Sequence, residues 1–225
     1  MRFSASPGAR FGLRSVLTVV ALAIATVPFG LLSFLVLSRW TPLLAMDIGA
    51  RDDLHRYTVT HPAFATAMKT MSTIGSIRVY LPVFVLVVLW LLHRHRPRTA
   101  VFVAVTVMGS AVLNAFVKAI VQRARPTVAA PVATATGLSF PSGHAQAAVV
   151  TYTTLLLLFW SAMRPVWRRV AVTVAVLVVL GIGLSRVALS VHYVSDVLAG
   201  YVLGAAWVVA TTALFDAWRR ELRSR

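Results

Sequence analysis

Apolar residues in this chain come in long unbroken runs, not in the short alternations of strands or the mixed stripes of soluble helices. The runs cover about 15–37, 77–93, 99–121, 143–163, 169–189 and 195–217. Each approaches or exceeds the roughly 20 residues that an α-helix needs to cross the hydrocarbon core of a bilayer. A helix is the element expected there, because in lipid every backbone N–H and C=O must find its partner within the segment. The pattern predicts an all-α polytopic membrane protein: a six-span helical bundle forming one domain over residues 1–225. The first run follows Arg10 and Arg14, as a secretory signal would. It is longer than the 7–15 apolar residues typical of a signal and lacks a clear cleavage site, so it reads as a retained anchor.

Composition agrees: 59% of the 225 residues are hydrophobic and 12% are charged, against about a quarter charged in soluble domains. The net charge of +16 comes from 22 Lys and Arg against six acids. In a soluble protein that excess would suggest nucleic acid, but here it is distributed by side. Arg2, Arg10 and Arg14 precede the first run, and Arg94, Arg96 and Arg98 separate the second from the third. Arg164, Arg168 and Arg169 separate the fourth from the fifth, and Arg219, Arg220, Arg223 and Arg225 follow the sixth. All thirteen fall on one side of a six-span arrangement. The positive-inside rule makes that side cytoplasmic and places both termini there. No nucleic-acid partner is expected. The chain has no Cys, which excludes disulfides, thiol nucleophiles and Cys-ligated metals.

The longest connection, about 38–76, is then external. It carries Asp47, Asp52 and Asp53 among apolar residues such as Leu54, Phe64, Met68 and Met71. An amphipathic helix on the outer leaflet and short helices packed on the bundle both fit. The external loop 127–138, rich in Ala, Thr, Val and Pro, reads as flexible.

Three polar clusters interrupt the apolar pattern: Lys118 with Arg125-Pro126, then Pro141-Ser142-Gly143-His144, then Ser185-Arg186 with His192 and Asp196. The alternation of spans brings all three to the external face. His192 and Asp196 are i, i+4 neighbours if helical. A carboxylate there can accept the imidazole N–H and leave the other ring nitrogen free to attack. Lys118 and Arg125 lie two turns apart if that helix continues. Ser142 suits an N-cap, and the free N–H groups of the following turn, approachable at Gly143, suit an anion.

Other polar residues have plainer readings. Arg39, Arg78 and Arg123 are expected to extend to the headgroups, and His55, His61, His93 and His95 to be solvated. Ser110 and Asn114 share a stripe with Lys118; hydrogen bonding between helices is favoured over a polar wall leading to the site. Gly200 and Gly204, four apart, read as close helix packing.

The motifs K-x6-R-P, P-S-G-H and S-R-x5-H-x3-D, carried here by Lys118 to Pro126, Pro141 to His144 and Ser185 to Asp196, resemble those of the type-2 phosphatidic-acid phosphatase superfamily. That superfamily includes the lipid phosphate phosphatases and the vanadium-dependent haloperoxidases. The motif core spans about 118–196. The resemblance implies that His192 is the nucleophile, that Asp196 orients it, and that His144 is the general acid and then the base for water. It implies that Lys118, Arg125, Arg186, Ser142 and Gly143 bind the phosphate. It implies no metal and no other cofactor, since cations and backbone dipoles can balance the developing charge.

The expected function is an integral membrane phosphatase that acts on a lipid phosphate or diphosphate at the extracytoplasmic face, through a phosphohistidine. Polyprenyl diphosphate, phosphatidate and phosphatidylglycerol phosphate are the candidate substrates, and the polyprenyl carrier is favoured because its diphosphate is exposed outside after use. A lipid-linked phosphotransferase and a non-catalytic membrane scaffold are the alternatives. A haloperoxidase is disfavoured, because that chemistry needs bound vanadate. The partners are the bilayer and the lipid substrate; oligomeric state is not encoded legibly.

Overall fold

A computed structural model describes residues 20, 23–24 and 26–224, with side chains to Trp218. The described residues form helices and no strands. These are α1 (Thr26–Leu37), α2 (Thr41–Thr60), α3 (Pro62–Ile74), α4 (Ile77–His93), α5 (Pro97–Val121), α6 (Gly143–Phe159), α7 (Pro165–Ala188) and α8 (Val194–Ser224). A 3-10 turn, Trp160–Ala162, extends α6. Five helical stretches are long and apolar enough to cross a bilayer, six if α1 and α2, bent by 92°, count as one broken span. Arg2, Arg10 and Arg14, and residues 15–19, 21–22 and 25 of the predicted first span, lie outside the described residues.

Two expectations are refined. The second predicted span, 77–93, is α4, and α3 runs on into it, so that Pro62–His93 is one apolar helical stretch of 32 residues. Their junction at Gly75 rests on α7: a Cβ there would lie 2.6 Å from Cγ2 of Ile182. The connection 38–76 is helical and packed, the second of the two readings. Leu43 and Asp47 of α2 are buried, and Phe64 and Met68 of α3 pack with Ala188, Leu189 and Val191 at the end of α7.

Local chemistry sets the helix ends. Pro97 and Pro165 occupy first-turn positions, where a missing N–H costs nothing. Gln122 ends α5 in the left-handed region, with φ 49° and its N–H on the Lys118 carbonyl. Ser142 caps α6 by accepting from the Ala145 N–H.

The tightest pairing is α6 against α8, and it rests on Gly200 and Gly204. A Cβ on Gly200 would lie 2.6 Å from the Ser142 carbonyl oxygen, and one on Gly204 would lie 2.9 Å from that of Gln146. Close backbone approach is how helices without a hydrophobic driving force associate in lipid. Gln146 ties in α5: it donates to the Ser110 carbonyl at 2.9 Å and hydroxyl at 2.8 Å, and accepts from Asn114 at 2.7 Å. Ser110 and Asn114 are therefore interhelical links, as favoured.

Candidate active site

The C-terminal ends of α5 and α7 and the N-terminal ends of α6 and α8 meet at one end of the bundle. The Gly200 contact lets the first turns of α6 and α8 join directly, with the Ser142 N–H donating to the Asp196 carbonyl at 2.9 Å. Phe140, fully buried with Val36, Leu43 and Ala199, anchors the segment leading into α6. Its bond to Pro141 is cis.

The spacing from Arg186 to His192 has a local cause. Past Ala188, Ser190 takes a left-handed conformation, φ 56°, and turns the chain back. The Arg186 carbonyl then accepts from the N–H groups of Val191 and His192, both at 3.1 Å. One turn thus holds the cation and the imidazole together. His55, expected to be solvated, braces this turn, with Nδ1 3.1 Å from the Ser190 hydroxyl.

His192 and Asp196 do meet, but not as helical neighbours. α8 begins at Val194, and His192 lies in the turn before it. Asp196 reaches back across its own N-terminus. Oδ2 accepts from the Tyr193 N–H at 2.9 Å and the Ser139 hydroxyl at 2.5 Å, and lies 3.4 Å from His192 Nδ1. The Ser139 proton is committed to the carboxylate, so its oxygen, 3.3 Å from the same Nδ1, serves as an acceptor. The network therefore assigns the proton to Nδ1 and the lone pair to Nε2. Nε2 faces Arg125 Nη1 at 3.0 Å. Burial, with 2% of the residue exposed, is the main force that lowers the His192 pKa to about 4. The Asp196 carboxylate opposes that shift without overcoming it.

The Lys118–Arg125 relation also differs from expectation. α5 stops at Val121, so Arg125 sits on an extended segment rather than two turns along a helix. Arg125 Nη1 donates to the Val191 carbonyl at 2.7 Å, and its Nε to those of Thr136 and Gly137. Lys118 Nζ donates to the Leu138 carbonyl at 2.6 Å. These bonds fasten the 127–138 connection to the site. Arg186 donates to the Ser72 hydroxyl on α3, and its buried Nε has no partner among the described residues. Among the described residues the partners of these three cations are carbonyls, a hydroxyl and the His192 ring, with no carboxylate bonded to any of them. Burial lowers the Arg125 pKa, partly offset by Asp196.

His144, the second residue of α6, lies half-buried at the same end of the bundle. Gly143 faces Asn114, whose Oδ1 would lie 3.3 Å from an added Cβ. The structure thus gathers Lys118, Arg125, Ser142, Gly143, His144, Arg186, His192 and Asp196 at one end of the bundle. A lone pair on a neutral imidazole beside three cations suits attack on an anionic centre.

Arg39 and Arg78 are exposed, as expected. Arg123 is not: it is drawn inward between two carboxylates, Nη2 to Asp47 and Nη1 to Asp196, each at 2.8 Å. Burial disfavours its charge, but the two acids outweigh that and raise its pKa. Ser139, Ser72 and Asp47 also went unrecognised. Ser139 precedes the Phe-Pro step into the second motif, and Asp47 stood out only as an acid in an apolar stretch.

The family model for the PAP2 superfamily matches residues 99–220. Phosphatidylglycerophosphatase B of Bacillus subtilis (strain 168) is 29% identical over 152 residues, which is 65% of this chain and 72% of that protein. The crystal structure of a transmembrane PAP2-type phosphatidylglycerolphosphate phosphatase from Bacillus subtilis is similar over 87% of this chain and 96% of its own. Its TM-score is 0.74 at 22% identity, a likeness of fold.

Proposed function

We propose, because this chain belongs to the PAP2 superfamily and is a membrane phosphatase, that it hydrolyses a lipid phosphate through a phosphohistidine on His192. The observation that carries the reading is the placement of His192: Nδ1 lies 3.4 Å from Asp196 Oδ2 and 3.3 Å from the Ser139 hydroxyl, and Nε2 lies beside Arg125. Lys118, Arg125 and Arg186 hold the phosphate oxygens, helped by the amide groups at the Ser142–Gly143 helix start. Nε2 attacks phosphorus, the bond to the lipid oxygen breaks, and His144 donates a proton to that oxygen. Water then attacks the phosphohistidine, His144 takes its proton, the P–N bond breaks, and inorganic phosphate leaves.

The relatives described above are named for phosphatidylglycerol phosphate. That headgroup is placed first here, ahead of the polyprenyl diphosphate favoured by the sequence reading and of phosphatidate. The Arg-rich connections at the opposite end of the bundle support an extracytoplasmic site and a cytoplasmic C-terminus. The N-terminal arginines, by the same rule, support a cytoplasmic N-terminus. The test is purified protein in mixed micelles with phosphatidylglycerol phosphate, phosphatidate and a polyprenyl diphosphate, measuring released phosphate. Release from phosphatidylglycerol phosphate at the highest kcat/KM is expected. Transfer of the phosphate to another hydroxyl without release would contradict a hydrolase.

A further inference from the structure

Arg123 belongs to none of the three motifs, yet among the described residues near His192 it is the cation whose guanidinium is bonded to two carboxylates. Its side chain is 10% exposed and lies between two carboxylates that are 0% exposed. Nη2 meets Asp47 Oδ2 at 2.8 Å, while Nη1 meets Asp196 Oδ1 at 2.8 Å and the Ser195 hydroxyl at 2.6 Å. The guanidinium also lies 4.2 Å from the Tyr193 ring centroid. Asp47, from α2, accepts in addition the Ser195 N–H at 2.9 Å and the Ser195 hydroxyl at 2.5 Å.

The two oxygens of Asp196 therefore have separate duties. Oδ1 is taken by Arg123; Oδ2 is left for Tyr193 N–H, Ser139 and His192. A carboxylate this deeply buried stays ionised only if a charge or strong donors compensate it. While it is ionised and cannot rotate, Oδ2 is an acceptor, and His192 must present a proton at Nδ1 and a lone pair at Nε2. Asp47 completes the charge balance. One guanidinium between two carboxylates leaves one net negative charge, and it faces the imidazole. That charge opposes the positive charge the ring gains when Nε2 forms a bond to phosphorus. Without Asp47 the Arg123–Asp196 pair would be neutral and that help would shrink.

We infer that Arg123, held by Asp47, is a positioning residue for the nucleophile, and that α2 thereby sets the reactivity of His192 without touching substrate. The inference rests on the reading of His192 as nucleophile. The competing view is that the ion pairs only fasten α2 to the bundle.

The test uses the full chain in detergent micelles and the variants Arg123→Gln, Arg123→Lys and Asp47→Asn. Three quantities are measured: kcat and KM on phosphatidylglycerol phosphate, the melting temperature, and ¹⁵N-histidine spectra, with His192 assigned by its loss in His192→Gln. Arg123→Gln is expected to lower kcat about 10–100-fold, by analogy with the outer partners that orient metal-bound histidines, with KM little changed. Lysine should restore only part of this, since one ammonium cannot form the same fork. Asp47→Asn keeps an acceptor for Ser195 N–H and should lose less, again in kcat. In the spectra the wild-type His192 should carry its proton on Nδ1, and Arg123→Gln should shift the population toward Nε2. A kcat equal to wild type in Arg123→Gln and Asp47→Asn, with only the melting temperature lowered, overturns the inference. So does an unchanged His192 tautomer. If Arg123→Gln does not fold, Asp47→Asn decides by the same readings. Absence of wild-type turnover on any lipid phosphate would strike the proposed function instead, and the spectra would still judge the tautomer.

Discussion

Replacing Gly200 by Ala adds one methyl group some distance from any reacting atom, and it should nevertheless cost most of the activity. The added Cβ would lie 2.6 Å from the Ser142 carbonyl oxygen and 3.1 Å from Ala145 Cβ. Neither neighbour can rotate away, because one is backbone and the other is itself a Cβ. Reaching ordinary contact requires α6 and α8 to part by roughly 0.5–1 Å. The parting falls where Ser142 N–H bonds the Asp196 carbonyl, so it separates Ser142, Gly143 and His144 from His192 and Asp196. Overpacking of this kind typically costs about 1–3 kcal/mol of stability. A misplacement of about 1 Å in a reacting constellation can cost about 10²-fold in rate. Gly200→Ala should therefore remain folded, melt lower and lose about 10²-fold in kcat. Gly204→Ala is the control: it lies one turn further from the site and meets the Gln146 carbonyl at 2.9 Å. It should melt lower with a smaller loss of kcat. The assay is phosphate release in mixed micelles alongside thermal unfolding of the same preparations. Full activity in Gly200→Ala, or equal kcat losses in the two variants, would refute the claim that this contact sets the site's geometry.

The pH dependence follows from burial of His192. Its pKa of about 4, depressed below the ordinary 6.5, keeps the imidazole neutral at pH 5–6, where an exposed histidine would be largely protonated. After correction for the substrate's own titration, the acidic limb of kcat/KM should lie well below 6.5; a limb at 6.5 would contradict the buried neutral nucleophile. Activity should survive EDTA, because Lys118, Arg125 and Arg186 supply the positive charge; complete loss restored by Mg²⁺ or Zn²⁺ would show that they do not suffice. The native chain has no Cys, so single-Cys labelling reads the orientation directly. Thr134→Cys should react with an impermeant reagent in intact cells and Arg96→Cys should not, the reverse pattern placing the site on the cytoplasmic side.

Much of this was legible in the sequence because membrane helices announce themselves by length and hydropathy alone. The convergence of the motif residues then followed from counting spans. The geometry within the site was less accessible. Periodicity treats His192 and Asp196 as helical neighbours and extends α5 to Arg125, but the turn that begins at Ser190 holds His192 outside α8, which starts at Val194, and Gln122 ends α5; neither Ser190 nor Gln122 carries a Gly signal. Arg123 looked like a residue reaching for headgroups because its partner Asp47 is 76 positions away, on a helix whose place against the bundle no local pattern reveals. Ser139 was invisible for the same reason: its role depends on Asp196, 57 positions on.

The central claim is that Nε2 of His192 takes the phosphoryl group. The direct measurement is acid-free, rapid-quench labelling with a ³²P-headgroup lipid phosphate, followed by peptide mapping under alkaline conditions that preserve phosphohistidine. Label is expected on the peptide containing His192 and absent in His192→Ala; in His144→Ala it should accumulate from a substrate with a good leaving group, such as a nitrophenyl phosphate, which needs no proton to depart while water is no longer activated. Label on the peptide containing His144, or undiminished turnover by His192→Ala, would contradict the account.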